Sequence, residues 1–232
     1  MSGAAVVIGA SGGIGAALEA ALIDEGAHTA VHGFARARGG ADHLDLTDEG
    51  SIAAAAARVA AGPPIALLVI ATGLLHEGTQ GPEKSVRDLY PAWLARQFAV
   101  NAIGPMLVFK HFLPILPRTG RPVVAALSAR VGSIADNRLG GWHGYRASKA
   151  ALNMAVRGAA IEAKRENDRA IVVALHPGTV DTPLSAPFQA NVRPGQLFDP
   201  ARAAVQLLDV IDALKVSDSG GFFAWDGSRI EF

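Results

Sequence analysis

Where an apolar run, Ala4–Ile8, passes into an alanine- and leucine-rich stretch that begins at Ile14, the junction carries three glycines, Gly9, Gly13 and Gly15, spaced Gly-x-x-x-Gly-x-Gly. The run reads as a buried strand and residues 14–25 as a helix. The chain must therefore turn sharply from strand into helix at the glycines, where the first helical amides have no intrahelical acceptor. Side chains are absent where an anion would approach, and the helix dipole adds favourable charge at the same point. Gly9, Ser11, Gly12, Gly13, Ile14 and Gly15 form a candidate cradle for the pyrophosphate of a dinucleotide.

Strand and helix go on alternating. Further short apolar runs occupy residues 28–32, 65–71, 171–175 and Val123–Leu127, with another short strand expected over 42–46. Helices are expected over 51–61, 85–110 in pieces, 145–166 and 200–214. Near-continuous apolar strands separated by helices predict an α/β fold: a single-domain, doubly wound parallel sheet of Rossmann type over residues 1–232, with helices on both faces. Loops are expected over 73–81 and 179–195. The second follows a strand end and holds Pro183, Pro187, Pro194 and Gly195, as befits a loop that covers a ligand.

Charge and composition exclude several functions. The 21 basic residues balance the 21 acidic ones, so nothing suggests a nucleic acid or a membrane surface as partner. With no cysteine, disulfides, thiolate nucleophiles and cysteine metal sites are excluded, and the seven histidines form no metal-ligand cluster. The N-terminal apolar run lacks a basic leader and passes straight into glycines, and no stretch reads as a membrane-spanning run of apolar residues, so the expected location is the cytoplasm.

Tyr145 and Lys149 stand four residues apart, about one helical turn, on one face of the same helix. An ammonium so placed stabilises a phenolate and makes an acid of tyrosine. Moving a phenol from about 10 to about 7 takes roughly 4 kcal/mol of preferential phenolate stabilisation, which the cation and a cofactor hydroxyl could supply together.

The glycine spacing and Tyr145-x-x-x-Lys149 together resemble the short-chain dehydrogenase/reductase family, over essentially the whole chain. Leu-Ser-Ala-Arg-Val-Gly-Ser-Ile and the C-terminal Gly-Gly-Phe-Phe-Ala-Trp-Asp-Gly are similar to the sniffer-like carbonyl reductases and C-factor-like proteins within it. The resemblance implies NADP or NAD as cofactor, a small carbonyl or alcohol substrate and a homodimer or homotetramer. It implies hydride transfer with Tyr145 as the acid, Lys149 lowering its pKa and holding the nicotinamide ribose, and Asn101 supporting a water that reprotonates the pair. Ala71, Thr72 and Gly73 match the family's Asn-Ala-Gly segment, and Asp45 and Leu46 its adenine contact. Pro177, Gly178, Thr179 and Thr182 match the stretch that closes on the carboxamide. Where most members carry threonine before the glycines this chain has Ile8, which implies a lost side-chain hydrogen bond.

At the end of the second strand an acid would bind a free ribose diol and an arginine a 2′-phosphate. The chain offers Arg36, with Arg38 as a second candidate, and no acid before Asp42, which favours NADP. The serine that orients the substrate oxygen is open. Alignment on Gly132 puts Ala129 at its position; Ser128 is adjacent but points to the other side of a regular strand, and Ser133 lies twelve residues before Tyr145, near the usual spacing. Either serine could serve, a bulge rescuing Ser128, or neither. His143 and His176 read more simply as pocket-lining or structural, and Trp142, Phe188 and Phe198 as a possible apolar substrate wall.

Overall fold

A computed structural model describes residues 3–232, except for the side chain of Asn191. Strands β1 (Ala4–Ile8), β2 (Ala30–Phe34), β3 (Ile65–Ile70), β4 (Val123–Leu127), β5 (Ile171–His176) and β8 (Phe222–Ala224) form one parallel sheet in the order β2-β1-β3-β4-β5-β8. Two short strands, β6 (Thr179–Val180) and β7 (Leu197–Phe198), pair with each other outside it. The doubly wound parallel architecture is thus as expected.

Alternation within the strands sorts the core into two layers. Val6, Ile8, Leu68 and Val172 face α2 (Glu49–Ala60), α4 (Gly104–Phe112) and α5 (His143–Glu166). Ala5, Val7, Leu67 and Val173 face α1 (Gly13–Glu25) and α6 (Pro200–Ala213). The inner strands β1, β3, β4 and β5 bury both faces, which is why they read as near-continuous apolar runs, whereas edge strand β2 is only partly buried over Ala30–His32. From β1 the chain crosses to β2 on one side, then returns past β1 to place β3 on the other. The carboxyl ends of β1 and β3 flank this reversal, the crevice where ligands bind in open α/β sheets.

Several expectations shift. The second strand runs two residues later than 28–32, because its pairing with β1 starts at Ala30 and buries Gly33 and Phe34 at its end. Residues 42–46 form no strand: Gly40–Asp42 is a 3-10 turn, one bridge joins Ala35 to His43, and the Asp45 carboxylate accepts from the Thr47 amide and hydroxyl. The helical pieces over 85–110 resolve into α3 (Pro91–Phe98), a π-turn at Ala99–Ile103, and α4. The continuous run Pro91–Ile115 contains an 18-residue window of mean hydropathy 1.4 and so has the length and apolarity of a membrane span, contrary to the sequence expectation that no such stretch exists. Trp93, Ala102, Val108 and Phe112 on it are buried within the fold, as in a core helix.

Candidate functional site

The glycine turn and the end of β3 are pressed together. Gly9 has φ +94°, and a Cβ there would lie 2.5 Å from the Ala71 carbonyl oxygen. Any side chain would both strain the backbone and part the two strand ends. Gly13, at the first position of α1, faces Thr182: a Cβ would lie 2.6 Å from its methyl group, so the loop over 179–195 rests directly on the turn.

Along this crevice runs a cavity of about 1040 Å³. Ser11, Gly12, Gly13 and Ile14 line it at one end and Arg36 at the end of β2. Ala71, Thr72 and Gly73 follow from β3, then Leu127 to Val131 from β4, and Pro177 to Val180 with Thr182 from beyond β5. Tyr145 and Lys149 of α5 face the same space. The sequence candidates from separate elements therefore converge. Gly9 and Gly15 shape the turn from behind; Asn101, Asp45, Leu46 and Ser133 stand outside the wall.

Lys149 is buried and donates to the Leu127 carbonyl at 2.9 Å and the Thr72 carbonyl at 3.4 Å, with its Nζ 5.9 Å from the Tyr145 ring centroid. Burial lowers its pKa to about 8. Tyr145 is buried too, and desolvation pushes its phenol above the ordinary range, not down toward 7. In the unliganded chain the loss of water therefore outweighs the lysine, and Tyr145 is held as the protonated acid.

Asn101 sits in the π-turn, a helix irregularity that recurs at functional sites. Its Oδ1 accepts from the Leu74 amide at 2.7 Å, and its Nδ2 donates to the Leu74 carbonyl at 2.8 Å and to Ser148 Oγ at 3.1 Å. Ser148 in turn donates to the Tyr145 carbonyl at 2.9 Å. Asn101 thus ties the segment after β3 to the helix that carries the tyrosine.

The two candidate serines are otherwise engaged. Ser128 borders the cavity, but its hydroxyl donates to Asn153 Oδ1 at 2.7 Å. Ser133 is buried away from the cavity, and its Oγ accepts from the Asp136 amide at 3.1 Å. Ala129 borders the cavity and carries no hydroxyl. Arg38 is likewise taken up, by an ion pair with Glu19 and a bond to the Gly33 carbonyl, whereas Arg36 borders the cavity. Trp142 lies edge-on to Tyr145 and to Phe188, with ring centroids 6.3 and 5.0 Å away, so an aromatic wall does form. Phe198 instead packs against Trp225.

A nicotinamide dinucleotide fits the residues present. The first-turn amides of α1 are free of intrahelical acceptors, and Thr72 Oγ1 and His176 Nδ1 are buried without a hydrogen-bond partner among the described residues, both on residues that line the cavity. The sequence model of the short chain dehydrogenase family matches residues 3–193. The chain belongs to this family. It is 37% identical to the C-signal protein of Myxococcus xanthus over 155 residues, 67% of this chain and 88% of that one. It is 31% identical to 1-hydroxy-2-glutathionyl-2-methyl-3-butene dehydrogenase of Rhodococcus sp. (strain AD45) over 216 residues, 92% of this chain and 87% of that one. The NADPH-bound carbonyl reductase from chicken fatty liver superposes with a TM-score of 0.82 at 25% identity, covering 99% of this chain and 98% of that one. C-signal and a carbonyl reductase are the two kinds of relative that the stretch from Leu127 to Ile134 suggests.

Sequence reasoning missed Glu83. Buried at the start of α5, it accepts from the Gly144 amide through Oε2 at 3.0 Å and from the Trp142 amide through its carbonyl, holding Trp142 at φ +51°. No local pattern marks it, since it caps a helix sixty residues away. Asn153, in Tyr-Arg-Ala-Ser-Lys-Ala-Ala-Leu-Asn, carries a readable signal: it lies one helical turn beyond Lys149 and so on the same face.

Proposed function

We propose that this protein is an NADPH-dependent carbonyl reductase of small, partly apolar substrates, with Tyr145 as the proton donor. The observation that carries the proposal is the convergence of Tyr145, Lys149, the glycine turn and Arg36 on one cavity. Bound NADPH would supply a hydride. The chain supplies the rest: the first-turn amides of α1 hold the pyrophosphate, Arg36 the 2′-phosphate, and Thr179 and Thr182 the carboxamide side. Tyr145 donates its proton to the carbonyl oxygen as the carbon is reduced, so that no full alkoxide charge forms. Lys149, close under the ring, steadies the phenolate left behind, and solvent reprotonates it through the Lys149 and Asn101 region. The dehydrogenase and NADPH-bound carbonyl reductase among its relatives favour this reading. The balance of 21 basic and 21 acidic residues favours a small-molecule substrate over a nucleic-acid partner.

A second reading has one observation in its favour. Ala129 offers no hydroxyl to the substrate oxygen, and a relative is named for a signal, which suits a dinucleotide-binding regulatory protein with little turnover. A screen of aldehydes and ketones with NADPH separates the two. Oxidation of NADPH by at least one carbonyl class supports the enzyme; tight NADPH binding with no turnover on any supports the regulator.

The protein is further proposed to be a homodimer or homotetramer. Ile103, Met106, Met154 and Ile161 expose apolar side chains on the helices that carry Asn101 and Tyr145, as surfaces covered by a second copy would. Sedimentation of a single species at the monomer mass would rule this out.

A further inference from the structure

The cavity is lined by five basic side chains, Arg36, Arg130, Arg138, Arg146 and Lys149, and a single acidic one, Asp136. Arg36 serves the adenosine end and Lys149 lies against Tyr145. The other three arginines all come from the stretch between the end of β4 and the first turn of α5, the stretch that delivers Tyr145. Arg130 pairs with Asp136 at 3.3 Å. Arg146 donates to two neutral acceptors, the Gly141 carbonyl at 3.0 Å and the Val131 carbonyl at 3.2 Å, so its charge is anchored but not neutralised. Arg138 makes no ion pair among the described residues.

This wall therefore carries three positive charges against one negative, in a chain whose basic and acidic residues balance at 21 each overall. A guanidinium keeps its charge at any physiological pH. Arg130 and Arg138 are exposed at the rim of the cleft, so their attraction for an anion acts through solvent and is screened by salt. A neutral ketone has no use for these charges, and an amine would be repelled by them. Apolar Val131, Leu139, Trp142 and Phe188 border the same space, room for a hydrophobic segment between a reacting carbonyl and a charged end.

We infer that the substrate of this site is an organic anion, a carbonyl compound whose carboxylate or phosphate is held by Arg138 within the field of Arg130 and Arg146. The planar guanidinium fork suits either oxyanion. The inference rests on the reductase reading and adds the substrate's charge to it.

The test compares 4-formylbenzoate and 4-formylphenyl phosphate with the neutral methyl 4-formylbenzoate, using NADPH with the wild-type protein, Arg138→Ala and Arg138→Lys. At low salt, kcat/KM is expected to be about tenfold or more higher for at least one anion than for the ester, chiefly through KM, and to converge as salt rises. Arg138→Ala should cut that anion-to-ester ratio about tenfold and Arg138→Lys should restore part of it. Equal rates for anions and ester, or a ratio untouched by Arg138→Ala, would overturn the inference. If none of the three is reduced, the reductase reading fails on these substrates, yet the anion site is still decided. Calorimetric titration of the NADP-loaded protein with 4-(hydroxymethyl)benzoate should then show binding that its methyl ester lacks and Arg138→Ala weakens; no binding would overturn the site itself.

Discussion

Ser128 donates its hydroxyl to Asn153 Oδ1 at 2.7 Å, so the hydroxyl nearest the expected substrate-orienting position is spent inside the fold. Ser128→Ala should therefore lower kcat/KM for carbonyl reduction less than about threefold while costing about 1–3 kcal/mol of stability, because Asn153 Oδ1 is left buried without its donor. Steady-state kinetics and urea denaturation check the two halves. A hundredfold loss of activity in a fully stable variant would mean that Ser128 turns to the substrate.

The neighbouring position makes the converse prediction. Ala129 borders the cavity, so Ala129→Ser would add a donor beside the proposed position of the substrate oxygen. A single well-placed donor of this kind is worth about 100-fold or more in kcat, and one grafted by substitution should recover about tenfold. An unchanged kcat would show that the reaction is complete without it.

Arg36 borders the cavity while Arg38 is engaged by Glu19 and Gly33. Arg36→Ala should weaken NADPH binding at least about tenfold and leave NADH binding within about twofold, as measured by fluorescence titration. Equal losses for the two cofactors would mean that Arg36 does not read the 2′-phosphate. Arg38→Ala should act on both cofactors alike, through the fold.

His176 gives stability an acid limb. Burial, helped by the charge of Arg130 and opposed by Asp226, lowers its pKa to about 4, below the unfolded value of about 6.5. Between these values the unfolded chain binds the proton more readily. The stability held above about pH 6.5 is therefore lost as pH falls and is gone below about 4. The loss should be on the order of 3 kcal/mol, read as a falling urea midpoint. His176→Asn should flatten that dependence; an identical slope would assign it to other groups.

How much of this was legible in the sequence follows from how local each signal is. β1 and β4 are apolar runs bounded by glycine, proline or serine, and both strands end where the run ends. β2 moved because its bounds are set by pairing with β1, a partner twenty-six residues away, and not by its own polarity. β8 is three residues long, too short for any period to show. Tyr145, Lys149 and the glycine turn were readable because each is fixed by spacing within one element. The engagement of Ser128 by Asn153, the capping of α5 by Glu83 and the arginines of the cavity wall depend on loops and crossings between elements. Likewise, the phenol's pKa could not be foreseen from the Tyr145 to Lys149 spacing, because burial of both groups outweighs their proximity.

In the proposed reaction NADPH bound in this cavity would give a hydride to a carbonyl carbon while Tyr145 protonates the oxygen. The direct test follows the label: the protein is given an aldehyde with NADPH carrying deuterium at C4 on one face or the other, and the product alcohol is analysed by mass spectrometry. Deuterium is expected at the carbinol carbon from one of the two labelled cofactors only. Tyr145→Phe should bind NADPH as tightly as the wild type while forming product at least about a thousandfold more slowly. Undiminished product formation by Tyr145→Phe, or alcohol without deuterium from either cofactor, would contradict the proposed reaction.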